Sequence, residues 1–123
     1  GQMDRWSIVT SLNYLDQIEE EKIILSKISD LNTKDGKELI KSMVNTADLT
    51  RSGFINGDIS TVMSPRTVIT WAENYLLFQD LEYSFKLSFL NRCDDIERSV
   101  IQEYFQRSFG IDMSDAKVLN VGE

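Results

Sequence analysis

The chain has 123 residues, of which 41% are apolar and 27% charged, with a single proline, which suits one ordered domain that buries a core without disulfides or metal. Thirteen basic against twenty acidic side chains give a formal charge of -7, which argues against a broad electrostatic nucleic-acid footprint. Histidine is absent and Cys93 stands alone, so disulfide frameworks, His-based metal sites, Ser-His-Asp triads and Cys-His dyads are excluded together.

Trp6-Ser7-Ile8-Val9-Thr10-Ser11-Leu12 alternates and is β-branched, which predicts a strand, with Asn13-Tyr14 as a turn. No later segment offers this strand a partner, so the expectation is that its sheet lies in chain upstream of residue 1 or in another molecule. From Asp16 to about Ser29 an acidic first turn and the apolar residues Ile18, Ile23, Leu25 and Ile28 predict a helix. A second should run from Thr33 to about Leu49, with Leu39, Ile40, Met43, Val44 and Ala47 on one face and Gly36 weakening its start. Residues 50–63 hold two glycines and β-branched residues and are expected to form a structured loop, with a small hairpin at Asn56-Gly57.

Ser64 is a favoured N-cap and Pro65 suits the first helical position, so a third helix is expected over Pro65 to Phe78, burying Val68, Ile69, Ala72, Tyr75 and Leu76 with Trp71 at its edge. Asp80 caps a fourth segment, Leu81 to Asn91, whose Leu81, Phe85, Leu87, Phe89 and Leu90 point to a central position. The last helix opens at Asp94, with Glu97 completing a capping box, and stops before Gly110. Its core stripe is Ile96, Val100, Ile101, Tyr104 and Phe105. Residues 111–123 lack periodicity and are expected to be a loosely held tail. The sequence shows neither an apolar run of the roughly 18 residues a membrane span needs nor the basic and apolar regions of a secretion signal at its start, so a cytoplasmic location is the expectation.

Motifs for chemistry are few. No segment matches the phosphate-cradling loop with its lysine, and Gly53 and Gly57 have the wrong spacing for one. Glu19-Glu20-Glu21 cannot converge on one ion, because consecutive helical residues point about 100° apart, so it is expected to be a solvated helix start. Asp94 and Asp95 fail as an acid/base pair for the same reason. The aromatic residues Tyr75, Phe78, Phe85, Phe89, Tyr104 and Phe105 fall at helical spacing and are expected in the core, as is the thiol of Cys93.

Two arginines stand out. Arg66 falls in the first turn of its helix, at the positive end of the dipole, where a cation is disfavoured by up to about 1 kcal/mol unless an anion lies beside it. The free N–H groups of that turn would help to hold such an anion. Arg5, in Met3-Asp4-Arg5-Trp6, precedes the predicted strand, where a loop could project it outward. Solvated surface arginines fit the same residues, and an independent helical interaction module fits the chain as a whole.

Met3-Asp4-Arg5-Trp6 followed by a strand, then Asn13-Tyr14, Glu19 to Leu25 and Ser64-Pro65-Arg66, resembles in order the C-terminal half of MoxR-like AAA+ ATPases. The block from Phe54 to Asn74, with Phe89-Leu90-Asn91 and Glu103-Tyr104-Phe105-Gln106-Arg107 downstream, resembles the ATPase subunits of aerobic cobaltochelatases in particular. The resemblance implies a mainly α fold: a helical-bundle AAA+ lid over residues 14–110, preceded at 1–13 by the finger loop and last strand of a missing α/β core, and followed by the tail 111–123. It implies that Arg66 is the sensor-2 arginine reaching the ATP phosphates of its own subunit, and that Arg5 is a finger entering the neighbouring subunit's site. ATP with Mg²⁺ is the implied cofactor, held mostly by the missing core, so the piece alone is expected not to hydrolyse it. The implied partners are further copies of the subunit in a ring, a metal-binding von Willebrand-type subunit and a large chelatase subunit. Together these insert Co²⁺ into hydrogenobyrinic acid a,c-diamide. A related ATPase that remodels some other complex carries the same pattern.

Overall fold

Helix α1 spans Gln17–Lys27 and begins after Asp16 in the computed structural model of the chain, which describes residues 7–9 and 16–110. A 3₁₀ turn, Ser29–Leu31, leads into the long helix α2, Lys34–Asn56. A loop then precedes α3, Pro65–Phe78, and α4, Leu81–Ser88, and a second 3₁₀ turn, Leu90–Arg92, precedes α5, Asp95–Phe109. Helix α2 is the spine: α1, α3 and α5 all pack on it, while α3 and α4 pack closely on each other. The described residues are mainly helical and contain no strand, in keeping with the expected mainly α fold.

Residues 7–9 are helical, which corrects the strand expected there; the rest of that segment, with Asn13-Tyr14, lies outside the described residues, as do Arg5 and the tail 111–123. The reason is hydrogen bonding. A strand without neighbours leaves its peptide groups unpaired, whereas a helix satisfies its own and here lets Val9 reach the core.

Capping sets the ends. Thr33 Oγ1 accepts the Gly36 N–H at 3.0 Å and Asp80 Oδ1 accepts that of Tyr83 at 3.0 Å. Gly36 does more than weaken a helix start, because a Cβ there would lie 2.1 Å from the Leu31 carbonyl oxygen and the 3₁₀ turn could not close onto α2. Asn56-Gly57 is a helix end and not a hairpin. Gly57 takes the left-handed conformation at φ 85°, and the Asp58 N–H donates to the Gly53 carbonyl at 2.8 Å. The buried face of α2 continues past Leu49 through Thr50 and Arg51 to Phe54, so the expected loop over residues 50–63 shrinks to the stretch after Gly57.

Trp71 is fully buried at the centre of the molecule, not at an edge. Its ring centroid lies 4.7 Å from Phe85, 6.2 Å from Phe105 and 5.8 Å from Phe109, so one aromatic cluster joins α3, α4 and α5. Ile96 is 89% exposed, and Ile18, Ile23, Phe78 and Leu87 are also exposed, which corrects five expected core positions; Phe78 is the last residue of α3. Ile96 sits in the first turn of α5, before the helix reaches the core at Ile101, and Leu87 points away from Phe85 and Phe89. In α1 the buried face runs through Glu20 and Ile24 to Ile28. Glu20 draws that face inward, for a reason that lies on α2.

Candidate functional site

Helix α3 starts as its first residues dictate. Ser64 is extended, its Oγ accepts the Thr67 N–H at 3.3 Å, and Pro65 occupies the first turn. Arg66 is exposed and makes no side-chain hydrogen bond or ion pair with any described residue; neither Asp58 nor Glu73 pairs with it. The other described α-helices carry acidic residues in their first turn, whereas α3 has none. A planar cation thus stands beside a positive dipole end with no acidic partner among the described residues, an arrangement complementary to an oxyanion such as a phosphate.

Directly before this turn lies a buried polar network that the sequence reading missed. Arg51, on α2, is 2% exposed, and its Nη1 and Nη2 donate to Glu20 Oε1 and Oε2 at 2.7 Å each, a bidentate pair. Its Nε donates to the Met63 carbonyl at 2.9 Å. The Met63 N–H donates in turn to Thr50 Oγ1 at 3.1 Å, and that hydroxyl donates to the Ala47 carbonyl at 2.6 Å. Glu20 is therefore an interior anion, not part of a solvated helix start. The legible signal was the stripe Ile40, Met43, Val44, Ala47, Arg51 and Phe54, which places Arg51 inward once α2 is carried to its true end.

The loop is held on its other flank by α5. Glu97 Oε1 accepts from the Ser60 N–H at 2.9 Å and from its hydroxyl at 3.0 Å, so Glu97 ties down the loop and forms no capping box; Asp94 makes no side-chain cap bond. Ile59 and Met63 fill the core between these tethers.

Cys93 is a buried thiol, pushed up to about 11 by burial, with its Sγ 3.4 Å from the Phe89 carbonyl, so it stays protonated at neutral pH. Burial likewise raises Tyr104, whose hydroxyl packs on Gly53. An open recess of about 310 Å³ between α2 and α5 is lined by Asn56, Asp58, Glu103, Tyr104 and Arg107 among others, and neither Arg66 nor Arg51 borders it. Among the described residues no cluster of His, Cys, Asp and Glu could hold a metal ion, and no helix is long and apolar enough to cross a membrane.

The chain is 54% identical over 115 residues to the aerobic cobaltochelatase subunit CobS of Sinorhizobium sp, a match covering 94% of this chain and 35% of that protein. This chain is similar to the C-terminal part of CobS. It spans about a third of the length of that relative. No protein-family model matches the chain, and no solved structure matches it. A match over 115 of the 123 residues takes in both position 66 and the Arg51 network beneath it.

Proposed function

We propose that this chain is the lid segment of the AAA+ ATPase subunit of an aerobic cobaltochelatase, and that it couples the state of a bound nucleotide to Co²⁺ insertion into hydrogenobyrinic acid a,c-diamide in cobalamin synthesis. The observation that carries the reading is the 54% identity to CobS over nearly the whole chain. The helical lid takes residues 14–110, with the finger loop at 1–13 belonging to a nucleotide-binding core. ATP with Mg²⁺ is the cofactor. Arg66 meets its phosphates as the sensor-2 residue, and Arg5 enters the neighbouring subunit's site in a ring. The partners are the von Willebrand-type metal-binding subunit and the large chelatase subunit.

The fit of Arg66 to a phosphate rests on its exposure, its lack of an acidic partner among the described residues and the absence of any acidic residue from the first turn of α3. Phosphoryl transfer spreads charge over the γ-phosphate oxygens, and an always-ionised planar donor stabilises that charge. This sequence contains no phosphate loop, so the 123 residues alone should not turn over ATP.

The test is Arg66→Ala in the full-length subunit. Its ATP hydrolysis or ATP response should fall, while the lid stays folded and its stability holds or rises by at most about 1 kcal/mol as dipole repulsion is relieved. Arg66→Lys should restore function only partly, since a point charge lacks the bidentate fork. Lost stability with unchanged nucleotide response would remove the assignment.

A further inference from the structure

Resting on the reading of Arg66 as a phosphate-sensing group, we infer that Arg51, together with Glu20 and Thr50, is a positioning device for Arg66. Both backbone groups of Met63 are held from α2, the carbonyl by Arg51 Nε at 2.9 Å and the N–H by Thr50 Oγ1 at 3.1 Å. Two residues, Ser64 and Pro65, separate Met63 from Arg66, and few of their torsions are free. Ser64 is set by its capping bond to Thr67, and the Pro65 ring locks its own φ. The position of Arg66 is thus referred to α2 through the Arg51 guanidinium and the Thr50 hydroxyl.

The guanidinium is itself oriented. Glu20 engages both terminal nitrogens at 2.7 Å, which leaves Nε pointing at Met63 and gives the planar fork a single orientation. A buried ion pair is a weak source of stability, because apolar side chains of similar volume replace such pairs at little or no loss. What an apolar pair cannot supply is a donor aimed at one carbonyl. Displacement of a phosphate-contacting group by about 1 Å is enough to lower turnover by up to roughly 100-fold, so the network acts on the reaction without touching the substrate.

The experiment uses the full-length subunit assembled with its partners, with MgATP as the probe, and measures kcat and KM for ATP beside thermal unfolding. Glu20→Met/Arg51→Met should keep the parental unfolding temperature within a few degrees, yet lower kcat/KM by about 10- to 100-fold. Adding Arg66→Ala to that variant should lower it little further, since the two changes remove the same contact. If the double variant keeps parental kinetics while Arg66→Ala alone loses them, the positioning role is overturned and the sensor reading stands. If Arg66→Ala alone changes nothing, the sensor reading fails and takes the positioning role with it. Should the double variant not fold, Thr50→Val removes the acceptor of the Met63 N–H at nearly constant volume. A severalfold loss of kcat/KM that Arg66→Ala does not deepen supports the inference, and parental kinetics overturn it.

Discussion

Replacing Arg51 alone by Met isolates what the interior ion pair does for folding. The Glu20 carboxylate, fully buried and bound at both oxygens by Arg51, would lose its partner, and the Met63 carbonyl would lose its donor. Breaking one side of a buried pair costs about 3–5 kcal/mol. For 123 residues the unfolding entropy is about 260 cal/mol/K, which converts that loss into a fall of roughly 12–19 °C in Tm. Circular dichroism at 222 nm during heating, with urea titrations for the free energy, measures it on the 123-residue chain. Glu20→Met should cost less, because Arg51 keeps the Met63 carbonyl and has Asp48 Oδ1 3.8 Å from its Nη1, and the double variant should recover most of the loss. A single-variant cost below about 1 kcal/mol would mean that water reaches the pair, and the argument from burial would fail.

Gly36→Ala should destabilise the chain by about 2–3 kcal/mol in the same assays, although Ala is the better helix former, because its Cβ meets the Leu31 carbonyl; a gain in stability would refute the close approach. Cys93 should resist a maleimide at neutral pH until the chain unfolds. Its thiol is raised from 9.0 to about 11, so the associated stability is complete below pH 9 and is lost as pH rises towards 11, by about 2–3 kcal/mol; a flat denaturation profile over that range in a Cys93-dependent comparison would contradict this. In full-length rings Arg5→Ala should lower turnover by on the order of 10³-fold, and mixing with a subunit dead in its own phosphate loop should restore part of it; mixtures that never exceed either parent would return Arg5 to an ordinary loop residue.

Helix starts were legible where a side chain caps them locally. Thr33, Ser64 and Asp80 act through bonds to backbone groups three residues on, which any sequence displays. The core stripes of α2 and α5 followed from periodicity for the same reason, apart from Ile96. Long-range pairing was not legible. Glu20 and Arg51 lie 31 residues apart and Glu97 and Ser60 lie 37 apart, and each acidic residue had a good local explanation as part of an acidic helix start. That local explanation also rotated the expected face of α1 onto Ile18 and Ile23. Asn56-Gly57 misled because a left-handed glycine serves a hairpin turn and a helix end equally, and only the continued burial of Arg51 and Phe54 separates the two. Of the candidate site, Arg66 and its cap could be read from four residues, whereas the carbonyl that seats them is held by residues the sequence reading had assigned to solvent and loop.

The aromatic cluster around Trp71 has a mechanical consequence. With Trp71 locked against Phe85, Phe105 and Phe109, helix α3 cannot tilt by itself, and any force on its first turn is carried by α4 and α5 as one body. The 14 residues of α3 form a rod roughly 20 Å long, so a tilt of about 5° at Arg66 swings Phe78 through nearly 2 Å. The far end of that rod carries exposed Leu77 and Phe78, with exposed Tyr83 of α4 edge-on to Phe78 at 5.2 Å. A small rotation of that body about the first turn of α3 thus moves this apolar surface further than it moves Arg66.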